Sequence, residues 1–324
     1  MDGSINPLKL TPGGEAKSPF LPGSWVQYAW DSTSLGYLKT CPRLYKYIMI
    51  DGWGDTDESI HLRFGIEYHQ ALQEYDIAKA EGASHDEATR LAIKDLHDRT
   101  WNWEVDTDTR AGKYKNKLSI TRTVIDYLDH FKDDPAETVI LADGTPAVEL
   151  SFRFELDWGP IPAQPYMLSG HLDRVVSFND TIFVMDRKTT TTTPGQYFFN
   201  QFEPSNQMTL YTLASQVVMN APIKGVIIDA AQILVDSSRF VRGFTYRTHD
   251  QLEEWTNDLQ YWFSIAETFA REDYWPMNDT ACDKFGGCRF RDICSKSPQV
   301  RDSFLKSRFN KLEEDQKWNP LRAR

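Results

Sequence analysis

Three charged residues lie close enough in the chain to act together: Asp173, Asp186 and Lys188. The segments YMLSGHLDRVVSF (166–178) and TIFVMDRKT (181–189) read as strands around the turn dipeptide Asn179-Asp180. A two-residue turn there pairs Phe178 with Thr181, so Asp173 falls opposite Asp186. Side chains so paired have Cβ atoms about 4.5–5.5 Å apart, and two like charges at that distance are destabilising. A divalent cation between them resolves the conflict, since Mg²⁺ is commonly held by one or two carboxylates plus substrate phosphate oxygens. Lys188 shares the face of Asp186, two residues away, and the register sets His171 opposite it. Arg187 points to the other face and leaves its backbone carbonyl as a further ligand. The same spacing also suits a surface hairpin with solvated charges, or an Asp–Lys bridge across a sheet.

A second set consists of the four cysteines Cys41, Cys282, Cys288 and Cys294. Three of them follow a C-x5-C-x5-C spacing. Four thiolates complete a tetrahedral zinc site or ligate one cubane iron–sulfur cluster. Four unrelated buried thiols remain the plain alternative, and disulfides do not suit a cytosolic chain.

The elements that must position these residues follow from periodicity. A helix is expected over Ser59–Ala80, where Leu62, Ile66 and His69 recur at i, i+4, i+7; this reading turns the His69 ring inward among apolar neighbours. Residues 82–135 are charged and mostly helical, with helices near Asp86–Trp103 and Leu118–Phe131. RAGKYKNKLSITR (110–122) is the most basic stretch, either a solvated loop or a phosphate-contacting edge. AVELSFRFEL (147–156) alternates as a half-buried strand, with Glu149 on its polar face as a candidate additional acid or a solvated one. A helix at Asn206–Met219 puts Gln207 and Tyr211 on one face. Strands at 223–235 and 239–247 and a helix at His249–Glu272 follow. The resulting division is a flexible arm (1–24), an N-terminal helical part with Cys41 and His69 (25–81), a helical insertion (82–146), a core (147–272), a cysteine segment (273–296) and a charged tail (297–324). The order of helices, strands, helix, strands and helices indicates a mixed α/β core.

These motifs resemble the D…(D/E)-x-K…Q-x-x-x-Y pattern of the PD-(D/E)XK nuclease superfamily: Asp173, then Asp186-Arg187-Lys188, then Gln207 to Tyr211. The wording GIEYHQ around His69, GHLDRV around Asp173 and MDRKTT around Asp186 is similar to its RecB-like, Cas4-like branch, which includes Cas4 and the nuclease domains of AddB and Dna2. The resemblance covers about 37–75 and 147–295. It implies a restriction-endonuclease-like α/β core, a mixed central sheet flanked by helices, with a helical insertion and an iron–sulfur staple joining the N- and C-terminal regions. It implies His69, Asp173, Asp186 and the Arg187 carbonyl as ligands of Mg²⁺ or Mn²⁺. Lys188 would position or activate water, and Gln207 and Tyr211 would orient DNA and Lys188. It implies that Cys41, Cys282, Cys288 and Cys294 hold a [4Fe–4S] cluster. The branch usually shows C-x2-C-x5-C at the C-terminal end; here the first interval is x5 and contains Gly286-Gly287, so zinc is less firmly excluded.

The net charge of −11 argues against a protein that coats nucleic acid by bulk charge, though not against a local basic groove. No run approaches 18 apolar residues, so a membrane span is not expected. The first residues lack the apolar core of a secretion signal, which makes the cytoplasm the default, the host's if the chain is phage-encoded. The expected function is a metal-dependent DNA nuclease, an exonuclease on single strands or DNA ends, serving recombination, repair, CRISPR adaptation or phage DNA processing, with recombination or helicase proteins as candidate partners. The alternatives are a DNA-binding recombination accessory with a regulatory or inactive nuclease site, and a zinc-stapled protein of unrelated activity.

Overall fold

The computed structural model describes residues 6–7, 18–56, 58–283 and 287–322. Most of the arm expected at 1–24 lies outside the described residues, as does Gly286 of the cysteine interval. The chain divides into two compact units. One comprises Met1–Asp57, Ser151–Gly170 and Thr248–Arg324; the other comprises Glu58–Leu150 and His171–Arg247.

The second unit begins with helix α1 (Ile60–Ala80), capped by the Ser59 hydroxyl, which accepts the Leu62 N–H. Helices α2 (His85–Arg99), α3 (Arg110–Tyr114) and α4 (Lys117–His130) follow, each with a side-chain N-cap from Ser84, Thr109 or Asn116. The row Phe64, Tyr68 and Leu72 of α1 packs into a core with Ala92, Leu96, Ile120, Val124 and Leu128. Leu62 and Ile66, expected to face inward with His69, are instead 62% and 46% exposed. The helix carries two apolar rows, and the Phe64 row is the one that its neighbours cover.

Strands β1 (Val148–Glu155) and β2 (Met167–Phe178) each have residues in both units; β3 (Thr181–Thr190), helix α5 (Asn206–Met219), β4 (Val226–Ile233) and β5 (Ser238–Thr245) belong to the second. β2 and β3 form the expected hairpin: Phe178 pairs with Thr181, and the same register runs to Arg174 opposite Met185. Asn179 and Asp180 both adopt positive φ, 50° and 58°, as a type I′ turn requires. β4 returns parallel to β3 after α5, with Asp186 beside Ile228, and β5 runs antiparallel to β4. This is the mixed sheet with helices that the pattern implied. All eight residues of β4 are buried, which explains its nearly continuous apolar sequence.

In the first unit, Ala29–Trp30 pairs in parallel with Met167–Leu168. Trp30 stacks between Tyr45 and Phe263, the latter on helix α6 (His249–Glu272), and Tyr45 stacks in turn on Trp275. A smaller core of Tyr47, Trp53, Phe290, Ile293 and Leu305 holds the C-terminal turns against residues 46–54.

Candidate active site

Arg187 is the point around which the second unit's polar residues gather. Its backbone N–H donates to Asp173 Oδ2 at 2.9 Å, and its carbonyl accepts from His69 Nε2 at 2.9 Å. His69 Nδ1 lies 3.3 Å from the same Asp173 oxygen. The sheet thus brings Asp173 of β2 to the edge of β3, and α1 lays His69 over both.

Glu149 completes the group. One ligand atom each from His69, Glu149 and Asp173 lies within 4.8 Å of the other two. Glu149 has φ = 49°, which no ordinary strand residue adopts. This twist breaks the inward–outward alternation of β1, whose burial is regular only from Phe152 onward. Two carboxylates and an imidazole so close, with a main-chain carbonyl beside them, make a donor set of the kind Mg²⁺ and Mn²⁺ accept.

Asp186 does not belong to that group of three. It is buried, and Lys188 Nζ sits 2.7 Å from Oδ2 and 2.9 Å from Oδ1. Lys188 also donates to Gln207 Oε1 at 3.2 Å, and Gln207 Nε2 donates to the Tyr211 hydroxyl at 3.0 Å. Asp186, Lys188, Gln207 and Tyr211 therefore form one hydrogen-bonded chain from β3 to α5.

The electrostatics separate the two acids. Burial alone would raise Asp173, but the His69 charge and hydrogen bond, Lys188 and the Arg187 N–H hold it well below the usual carboxylate range. Burial pushes Asp186 up to about 6; Lys188 opposes this and the Asp173 charge adds to it. Burial would lower His69, yet the Asp173 charge and hydrogen bond, with the Glu149 charge, together outweigh it and raise the imidazole.

Behind this face lies an ionic network not anticipated from the sequence. The Arg187 guanidinium donates to Asp76 Oδ2 at 2.6 Å, and Arg174 Nε lies 3.6 Å from Asp76 Oδ1. Tyr127 donates to Asp229, whose other oxygen is 3.4 Å from Arg242 Nε, and Arg242 forks onto Asp134 with two bonds of 2.7 Å. Two signals could have revealed it. Asp76 is seven residues from His69, hence two turns along the same helix face. Asp229 is a lone acid within an apolar strand, and a buried carboxylate needs a partner.

In the first unit, Cys41, Cys282, Cys288 and Cys294 all line one cavity of about 290 Å³. The two ends of the x5 interval meet: the Cys288 N–H donates to the Cys282 carbonyl at 2.8 Å, and Gly287 has φ = 105°. The Asn278 N–H donates to Cys41 Sγ at 3.3 Å. Among the described residues, no three of these sulfurs join a group within 4.8 Å. Thiolates around one zinc ion would lie about 3.8 Å apart, from Zn–S bonds of about 2.3 Å. Four thiols around one cavity are a donor set that either zinc or an iron–sulfur cluster could take.

The sheet, its hairpin and the acid–lysine pair define a nuclease-type core, and the matching family model bears this out: the PD-(D/E)XK nuclease superfamily, over residues 32–295. The chain belongs to that superfamily. No curated protein matches the sequence. A solved crystal structure named as "Putative exonuclease", from Eubacterium rectale, is similar at 11% identity and a TM-score of 0.49, covering 85% of this chain and 92% of the other. Among the described residues no helix is long and apolar enough to cross a membrane.

Proposed function

We propose that the protein is a metal-dependent deoxyribonuclease that removes nucleotides from single-stranded DNA or DNA ends. The observation that carries this reading is the convergence of His69, Glu149 and Asp173 beside the Arg187 carbonyl, next to the chain Asp186–Lys188–Gln207–Tyr211. His69, Asp173 and Glu149 would hold the cation, with the Arg187 carbonyl and Asp186 completing its shell. Bound there, a divalent cation supplies Lewis-acid polarisation of the scissile phosphoryl group and a more acidic water.

The protein's own groups do the rest. Lys188 places a fixed positive charge where negative charge grows in the transition state, and it needs no reorganisation because Asp186 and Gln207 already hold it. Tyr211 holds Gln207 in turn. Phosphodiester hydrolysis asks little covalent work of a protein, so such positioning sets the rate.

The four cysteines would carry a [4Fe–4S] cluster, as in the Cas4-like branch. Bound in the cavity, it would supply a cross-link between Cys41 and the segment 282–294 rather than electrons for hydrolysis. The function is tested by time-resolved digestion of end-labelled single- and double-stranded DNA with Mg²⁺, Mn²⁺ or EDTA. Progressive shortening from one end, abolished by EDTA, is expected; no shortening with either ion refutes the reading.

A further inference from the structure

The chain has a net charge of −11, and among the described residues eight of its nineteen arginines, Arg63, Arg99, Arg174, Arg187, Arg242, Arg289, Arg291 and Arg308, each face a carboxylate. The basic stretch 110–122 contains none of these pairs. Among the described residues, Arg110, Lys113, Lys115, Lys117 and Arg122 have no carboxylate within 4.0 Å. Lys117 instead covers the Trp101 ring, and Arg122 donates to the carbonyls of Leu234 and Val235. Arg110 and Lys113 are exposed.

Lys115 is the unusual member. It is only 4% exposed, its ammonium lies 5.2 Å over the Phe64 ring, and burial lowers it to about 8. A buried lysine without a counter-ion costs stability, so packing alone does not account for a cation here. Its neighbour His61 is lowered by burial and by the Lys115 charge. His61, Gly65 and His69 occupy one i, i+4, i+8 row of α1. A Cβ built on Gly65 would meet nothing within 4 Å, so the row is open between the two histidines. At 1.5 Å per residue, His61 lies about 12 Å along the helix from His69.

We infer that Lys115, with His61, Arg110 and Lys113, forms a subsite for a backbone phosphate of the DNA strand, a few nucleotides from the bond cut beside His69. The inference rests on the nuclease reading and extends it to how the substrate lies: along the open row of α1, with the anion that Lys115 lacks arriving on the strand. The exposed aliphatics Leu62 and Ile66, in the next row, suit unpaired bases rather than the phosphates of a duplex.

The test is fluorescence anisotropy of a labelled single-stranded oligonucleotide, titrated with the intact protein in EDTA across a range of salt. Each phosphate contact on a single strand contributes about 0.7 to the slope of log affinity against log salt. Lys115→Gln should weaken binding about fivefold at low salt and lower that slope by about 0.7, whereas Lys115→Arg should keep it. Should Lys115→Gln fail to fold, Arg110→Gln and Lys113→Gln, both at the surface, carry the same expectation. Unchanged affinity and slope in the folded variants, with wild type still binding and cutting DNA, overturn the subsite alone. A wild type that neither binds nor cuts overturns the subsite together with the nuclease reading.

Discussion

His69 donates a 2.9 Å hydrogen bond to the main-chain carbonyl of Arg187, 118 positions further along the chain. The contact seats a helix on a strand at the one residue whose N–H also holds Asp173. The Arg187 side chain leaves by the other face of β3 and meets Asp76, two turns beyond His69 on the same helix. One strand residue is thus gripped through its N–H, its carbonyl and its guanidinium, and the grip sets the distance between helix and sheet.

Asp76→Asn should therefore cost both stability and activity. Removing one partner of a buried ion pair costs about 3–5 kcal/mol, because the remaining charge is left without compensation. The variant should melt well below wild type and bind Mn²⁺ more weakly, while Asp76→Glu recovers part of both. Thermal melting and Mn²⁺ titration of the three proteins decide this; a wild-type melt for Asp76→Asn contradicts it.

Lys188→Ala and Asp186→Ala should each lower cleavage about 100-fold or more, the usual loss when a preorganised charge leaves a site. Circular dichroism should show both variants folded. Near-wild-type rates for either, under the same metal conditions, would remove that residue from the machinery.

Much of this site was legible in the sequence, because Asn179-Asp180 dictates a turn and the turn dictates the register. From that register alone, Asp173 comes to Asp186 and Lys188 shares their face. Two features were hidden for definite reasons. Periodicity finds apolar rows on α1 but does not say which row other helices cover, so the Leu62 row was misread as inward. Alternation put Glu149 on the polar face of its strand, and only the left-handed backbone at that residue brings its carboxylate beside His69. The order of elements was readable in part because several helices start at residues with cap chemistry, such as Ser59, Ser84 and Thr248.

The metal response separates the ligands by type. His69→Ala should weaken activation by Mn²⁺ more than by Mg²⁺, since imidazole favours transition metals. Glu149→Gln should weaken both, because it removes a charged oxygen donor. Rates measured across metal concentration test this; an unchanged ion preference in His69→Ala excludes it as a ligand.

Lys115 should make the stability depend on pH. Its folded value of about 8 lies below the ordinary 10.5, so folding disfavours its charged form. The penalty is fully present below pH 8 and is relieved as pH rises from about 8 towards 10.5. Lys115→Gln should accordingly melt above wild type at pH 7, and the gap should narrow by pH 10. A variant that melts lower at pH 7 by a pH-independent margin would contradict this.

Cys41→Ser should lose iron, its broad absorbance near about 400 nm and several degrees of melting temperature, because the cluster would close a very long loop. Full iron content with an unchanged melt would show that Cys41 is not a ligand.

The residues gathered around Arg187 are expected to cut DNA with a divalent cation. The most direct measurement follows an end-labelled single strand with wild type and Asp173→Ala, side by side in Mn²⁺. Wild type should shorten the strand progressively, and Asp173→Ala should leave it intact while remaining folded. Equal shortening by both proteins, or none by wild type in Mn²⁺ or Mg²⁺, would contradict the account.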